Sequence, residues 1–226
     1  MNAQSRPASP PAGTRERLLR TAFQLFHEQG FHATGVATIL REAGVNPGSL
    51  YHFFESKDAL LLGVLDFALD YLDPAVMAPV EAATADPIGR VFELLAGYRR
   101  RMEAERCRMG CPIGNMALEV SDGNAKARKL IHANFENWAR RVAGWLATEK
   151  RLPADLDRMR LARFVLTVME GGLMQSRAAG NLGPFDESVA VLRHHFDLLT
   201  STPGAARRKQ AARPRKARRP RSSTND

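Results

Sequence analysis

Apolar side chains recur at helical spacing along most of the chain, and no segment keeps the strict two-residue alternation of a half-buried strand. Leu18, Leu19, Ala22, Phe23, Leu25 and Phe26 mark the face of a first helix, and Gly30 follows Gln29 where a left-handed C-cap would end it. Thr34 is placed to cap a second, short helix carrying Val36, Ile39, Leu40 and Ala43, which stops at Gly44. Asn46 offers a side-chain cap and Pro47 fills the first helical position, so a third helix is predicted over about 47–53. Ser56 caps a fourth, whose Leu60, Leu61, Val64, Leu65, Ala68, Leu69 and Leu72 form a broad apolar face up to Pro74.

Beyond Pro79 the predicted helices are longer. Ile88, Val91, Phe92, Leu95, Tyr98 and Met102 share one face, residues 112–120 suit a short helix, and the stripe from Ala127 through Trp138 to Leu146 marks a long one. Between Asp155 and Ala179, Leu161, Phe164 and Val168 lie off the stripe of Ala162, Val165, Leu166, Met169 and Leu173. Such a helix is apolar on two sides. The last helix, about 185–199, presents Val189, Leu192, Phe196 and Leu199. The fold class is all-α, and two such terminal helices predict a homodimer, because a monomer would expose one of these faces as a large apolar patch.

Composition changes this picture at the chain's ends. Of 33 Lys and Arg in 226 residues, nine fall between positions 207 and 221, and the only acid after position 206 is Asp226. The body is therefore nearly neutral and the +9 charge resides in a tail, expected to be disordered, whose natural partner is a polyanion. Residues 1–13 are polar and proline-rich and read as a disordered arm. No apolar run approaches a membrane span, the N-terminus lacks the apolar core of a signal peptide, and Cys107 and Cys111 make no disulfide scaffold. These features predict a cytoplasmic protein with no membrane partner.

Two short helices joined by a three-residue, glycine-containing turn, with another helix behind, form a helix-turn-helix, whose second helix enters the major groove of double-stranded DNA. The run from Thr14 to Asp73, with Gly30-Phe31 and Thr34, the Ala43-Gly44-Val45 turn, the block Ser49–Phe54 and Ser56-Lys57, resembles the DNA-binding domain of TetR-type transcriptional regulators. The small residues Pro47, Gly48 and Ser49, with Asn46, open the recognition helix, where backbone N–H groups can meet a phosphate. Tyr51 and His52 are assigned to its exposed side, with Leu50, Phe53 and Phe54 as its core face. The resemblance implies phosphate contacts from Tyr51 and Lys57, and Thr34 and Thr38 would approach the duplex from the second helix. Positions 1–60 hold six Lys or Arg and five Asp or Glu, so specific polar contacts must do more than bulk charge.

The same resemblance implies a C-terminal helical domain, about 80–200, that dimerises and binds a small-molecule inducer. The segment Cys107–Glu119 is similar to the Gly-Cys-x-x-x-Asn-x-x-x-Glu pattern of a subgroup, some of whose members sense electrophiles or oxidants through that cysteine. Independently, Pro112 places Cys111 at a helix N-cap, where unpaired N–H groups favour the thiolate, and Arg106 and Arg108 could add to this. For a noncovalent ligand the expected lining is Phe67, Tyr98, Met102, Asn115, Met116, Phe135, Trp138, Met169 and Glu170, besides Cys111. Gly171 and Gly172 read as close helix packing.

No P-loop, dinucleotide fingerprint, HExxH or G-x-S-x-G occurs, so neither an enzyme nor a cofactor is expected. His132 and Glu136 make only half a metal site, and no metal is predicted. Two functions remain: a dimeric repressor released from a palindromic operator, and an architectural, nucleoid-type DNA-binding protein dominated by its basic tail.

Overall fold

A computed structural model of the chain describes residues 13–201, which contain helices and connecting turns and no strand. The expected arm, apart from Gly13, and the basic tail after Ser201 lie outside the described residues. The first four helices are α1 (Thr14–Gln29), α2 (Val36–Ala43), α3 (Pro47–Phe53) and α4 (Lys57–Leu72). A π-helical turn, Asp73–Met77, carries the chain past Pro74 into α5 (Ala78–Ala83), where the apolar pattern alone predicts an end. There follow α6 (Pro87–Ala104), α7 (Pro112–Val120), α8 (Ala125–Ala147), α9 (Arg158–Ala179) and α10 (Gly183–Ser201).

Local chemistry sets most of these ends. Gly44, left-handed at φ 63°, closes α2, the Asn46 side chain accepts from the Ser49 N–H, and the Ser56 hydroxyl accepts from that of Ala59. Asp157 caps α9 by accepting from Met159 and Arg160. The cap of α2 departs from expectation. Gly35 holds that position, while the Thr34 hydroxyl turns inward and donates to the carbonyls of Gly30 at 2.6 Å and Leu25 at 3.3 Å.

Leu18, Leu19, Ala22, Phe26, Ile39, Leu50, Leu60 and Leu61 are fully or almost fully buried and form the core of the first four helices. Gly63 lets α4 come close, since a β-carbon there would lie 2.8 Å from the Phe54 ring. Phe53, assigned to the core face of α3, is instead 38% exposed and packs edge-on against His52. In the second half α9 packs along α8 and α10, and α4 packs on α8. Asn134 ties this last pair by donating to the Leu65 carbonyl. Gly172 meets Phe185 of α10 so closely that a β-carbon would lie 2.9 Å from its ring, whereas Gly171 faces open space. Of the two, Gly172 serves close packing.

Candidate DNA-reading surface and ligand cavity

The turn between α2 and α3 presents Asn46, Pro47 and Gly48 to solvent, with Ser49 partly buried and its hydroxyl donating to Asn46 Oδ1 at 3.0 Å. Tyr51 is 61% exposed and His52 is exposed beside it. Thr38 is partly exposed on α2. Thr34 is completely buried, which removes its side chain from the surface and corrects its assignment to DNA contact. Lys57 is half-buried, with Nζ 4.4 Å from the centre of the Phe31 ring and donating to the His32 carbonyl at 3.4 Å. Its charge thus lies over the turn that leads from α1 into α2.

That turn is also where the second half of the chain takes hold of the first. Glu119, near the end of α7, accepts from the Phe31 N–H through Oε2 at 2.8 Å and from the His32 N–H through Oε1 at 2.6 Å. Among the described residues, these two N–H groups make no other hydrogen bond. Gly30 makes room for the carboxylate: its φ of 89° suits glycine, and a β-carbon would stand 3.1 Å from either oxygen. The left-handed cap expected at Gly30 is not formed, because its ψ is 156°. At the other end of α7, His27 of α1 meets the Gly110 carbonyl at 2.7 Å. A carbonyl only accepts, so Nε2 carries the hydrogen. Burial holds the His27 pKa below its ordinary value, despite the bond to Gly110.

The opposite side of α7 borders a cavity of about 580 Å³ between α7, α8 and α9. Ala117, Phe135, Leu166 and Leu173 supply much of its apolar wall. Arg163 at its edge donates to both oxygens of Glu136 at 3.0 Å. Arg177 donates to Asn115 Oδ1 at 3.2 Å. Arg177 and Asn115 also line a groove of about 320 Å³ that reaches His27, Gly30 and Glu119.

Cys111 is the N-cap of α7, and its sulfur accepts from the Gly114 N–H at 3.4 Å. The thiolate expected from that position is nevertheless disfavoured. Burial, followed by the neighbouring Glu170 carboxyl, pushes the Cys111 pKa well above its ordinary value and outweighs the bonds from the first turn of α7. Arg106 and Arg108, invoked to assist ionisation, are exposed, and the main influences on the thiol come instead from burial, Glu170 and the first turn of α7. Tyr98 is buried with its hydroxyl within hydrogen-bonding reach of the same thiol. Both cysteines are free and buried. Burial also lifts Glu170 to about 7.

Of the residues expected to line a ligand site, Cys111, Asn115, Phe135 and Glu170 face this cavity. The other six lie elsewhere. Met102, Met116 and Met169 are buried in the core, and Trp138 is buried edge-on to Tyr98. Tyr98 borders a separate hollow of about 140 Å³ with Val80 and Leu94. Phe67 stacks on Tyr71 at 5.1 Å under the guanidinium of Arg20. Sequence reasoning missed Arg163, Arg177 and Gly114. It included Glu119 in a pattern without seeing that its partner is the α1–α2 turn.

A surface helix-turn-helix joined through α7 to a second, helical domain with an apolar cavity defines the class of two-domain helix-turn-helix regulators. Comparison with known proteins narrows this. The model for "Bacterial regulatory proteins, tetR family" matches residues 18–64, and that for "Transcriptional regulator LmrA/YxaF-like, C-terminal domain" matches residues 87–190. The chain belongs to the TetR family of transcriptional regulators, and is not an enzyme. Among its relatives, the HTH-type transcriptional regulator LmrA of Bacillus subtilis is 29% identical, over 76% of this chain and 90% of that one. The HTH-type transcriptional repressor DhaR of Mycobacterium sp. strain GP1 is 27% identical over 83% and 93%. A solved structure of regulatory protein TetR from Rhodobacter sphaeroides shares the fold with a TM-score of 0.72 at 23% identity, covering 80% of this chain and 98% of that one. Among the described residues no helix is long and apolar enough to cross a membrane.

Proposed function

We propose that the chain is a homodimeric, cytoplasmic repressor that binds a palindromic operator and leaves it when a small molecule occupies the α7–α8–α9 cavity. The observation that carries this reading is the double membership of α7. One side borders the cavity, while Gly110 and Glu119 hold α1 and the α1–α2 turn. A ligand that displaces α7 must therefore disturb backbone bonds that position the helix-turn-helix, which is the differential contact between states that allostery requires.

On the DNA side, Tyr51 and His52 read or anchor from α3, with Asn46, Pro47, Gly48 and Ser49 at its N-terminus. Thr38 approaches from α2. Lys57 neutralises a phosphate next to the α1–α2 turn. Thr34 serves from inside by fixing that turn. The dimer forms through α9 and α10, whose exposed Phe164, Met174 and Val191 would otherwise meet water.

The inducer binds reversibly. A neutral, buried thiol is a poor nucleophile, so Cys111 acts as part of the cavity wall and not as an electrophile trap. The name of the DhaR relative, a repressor, supports the sign of regulation. Selection from random duplexes tests the reading: an inverted repeat bound by two chains is expected, and an unselected pool bound without preference would refute it.

A further inference from the structure

One ionisable group in the cavity wall is left incomplete by the chain. Glu170 lies midway along α9, and its carboxyl crosses to α7 over Gly114, where a β-carbon would collide with Oε2. Its Oε1 is sealed from solvent and has no hydrogen-bond partner. Among the described residues, the one hydrogen bond that bears on the group comes from the Cys111 thiol, a weak donor. The other charged groups at the cavity edge are engaged: Arg163 holds Glu136 with two bonds, and Arg177 donates to Asn115. Buried polar groups in folded proteins are ordinarily satisfied, so a carboxyl left this way beside an apolar cavity awaits a donor from outside the chain.

Resting on the reading that this cavity takes the inducer, we infer that the ligand is a largely apolar molecule whose hydrogen-bond donor, a protonated amine or a hydroxyl, is received by Glu170. The volume of about 580 Å³ suits a drug-sized molecule. Ala117, Phe135, Leu166 and Leu173 would cover its apolar body. A donor-free ligand leaves the carboxyl as incomplete as before, and an anionic one adds like charge beside it. Because Glu170 titrates near neutrality, it accepts from a hydroxyl in either protonation state and ionises against an amine.

Three naphthalenes of nearly equal size test this: 2-(aminomethyl)naphthalene, 2-naphthylmethanol and 2-methylnaphthalene, each titrated calorimetrically into the full-length protein. Both donors are expected to bind about ten-fold more tightly than the hydrocarbon. In Glu170→Met that preference collapses to within about two-fold, while retained binding of 2-methylnaphthalene reports an intact cavity. Glu170→Gln keeps a carbonyl acceptor but cannot ionise, so the amine loses its advantage and the alcohol retains it. Equal binding of all three, a donor preference that survives Glu170→Met, or no binding of any of them overturns the inference. Donors that bind through Glu170 yet leave an operator complex intact uphold it and defeat the release reading instead.

Discussion

Two carboxylates 51 positions apart in the chain meet opposite sides of the same helix environment and are treated differently. Glu119 has both oxygens engaged by backbone N–H groups of the α1–α2 turn. Glu170 has one oxygen without a partner and the other pressed against the α7 backbone at Gly114. The first arrangement is a joint, complete within the chain. The second is a receptor, completed only by something that enters the cavity. The nine-residue α7 carries the first carboxylate and receives the second, so the difference locates input and output on a single element.

Charge at Glu170 carries the greatest consequence for stability. Its folded pKa of about 7 lies above the ordinary 4.5, so its contribution to stability is fully present below about pH 4.5 and is lost as pH rises toward 7. Relative to Glu170→Gln, the unaltered chain should lose roughly 2–3 kcal/mol between pH 5 and pH 8 in urea unfolding. Parallel pH curves for the two proteins would show that the carboxyl is satisfied after all.

Removing the joint is next in size. Glu119→Ala leaves the Phe31 and His32 N–H groups without their acceptor and should cost about 2 kcal/mol of stability by chemical denaturation. The same variant should bind operator more weakly, because the turn before α2 loses its anchor. Tyr51→Ala acts at the DNA side alone. With the ring mostly exposed, its loss should weaken operator binding about ten-fold without lowering the melting temperature, as read by fluorescence anisotropy and thermal denaturation. The smallest effect belongs to the tail: removing residues 204–226 should leave operator preference intact and make the salt dependence of binding shallower. Loss of sequence preference on that deletion would favour the architectural function.

How far these sites could be read from the chain depended on distance along it. The α2–turn–α3 unit was readable almost to the residue, because Gly44, Asn46 and Pro47 act on their immediate neighbours. The N-cap role of Cys111 was readable for the same reason, through Pro112. Its protonation was not, because Glu170 and the burying elements come from α9 and distant parts of the fold. Thr34 was misplaced because its hydroxyl is claimed by carbonyls of Leu25 and Gly30, a choice that sequence spacing does not reveal. The cavity was read least well. Apolar periodicity identifies an inward face, but Met116 and Met169 pack into protein where Phe135 on a similar face borders open volume.

On the proposed function, α7 carries occupancy of the cavity to the helix-turn-helix, a coupling that can be tested without knowing the inducer. Ala117→Trp, placed on the cavity side of α7, fills that volume with a permanent side chain. Operator affinity of this variant in moderate salt, with its melting temperature as a control for folding, is the most direct measurement. At least about ten-fold weaker binding by a folded protein is predicted. Unchanged affinity with the cavity filled would contradict the account.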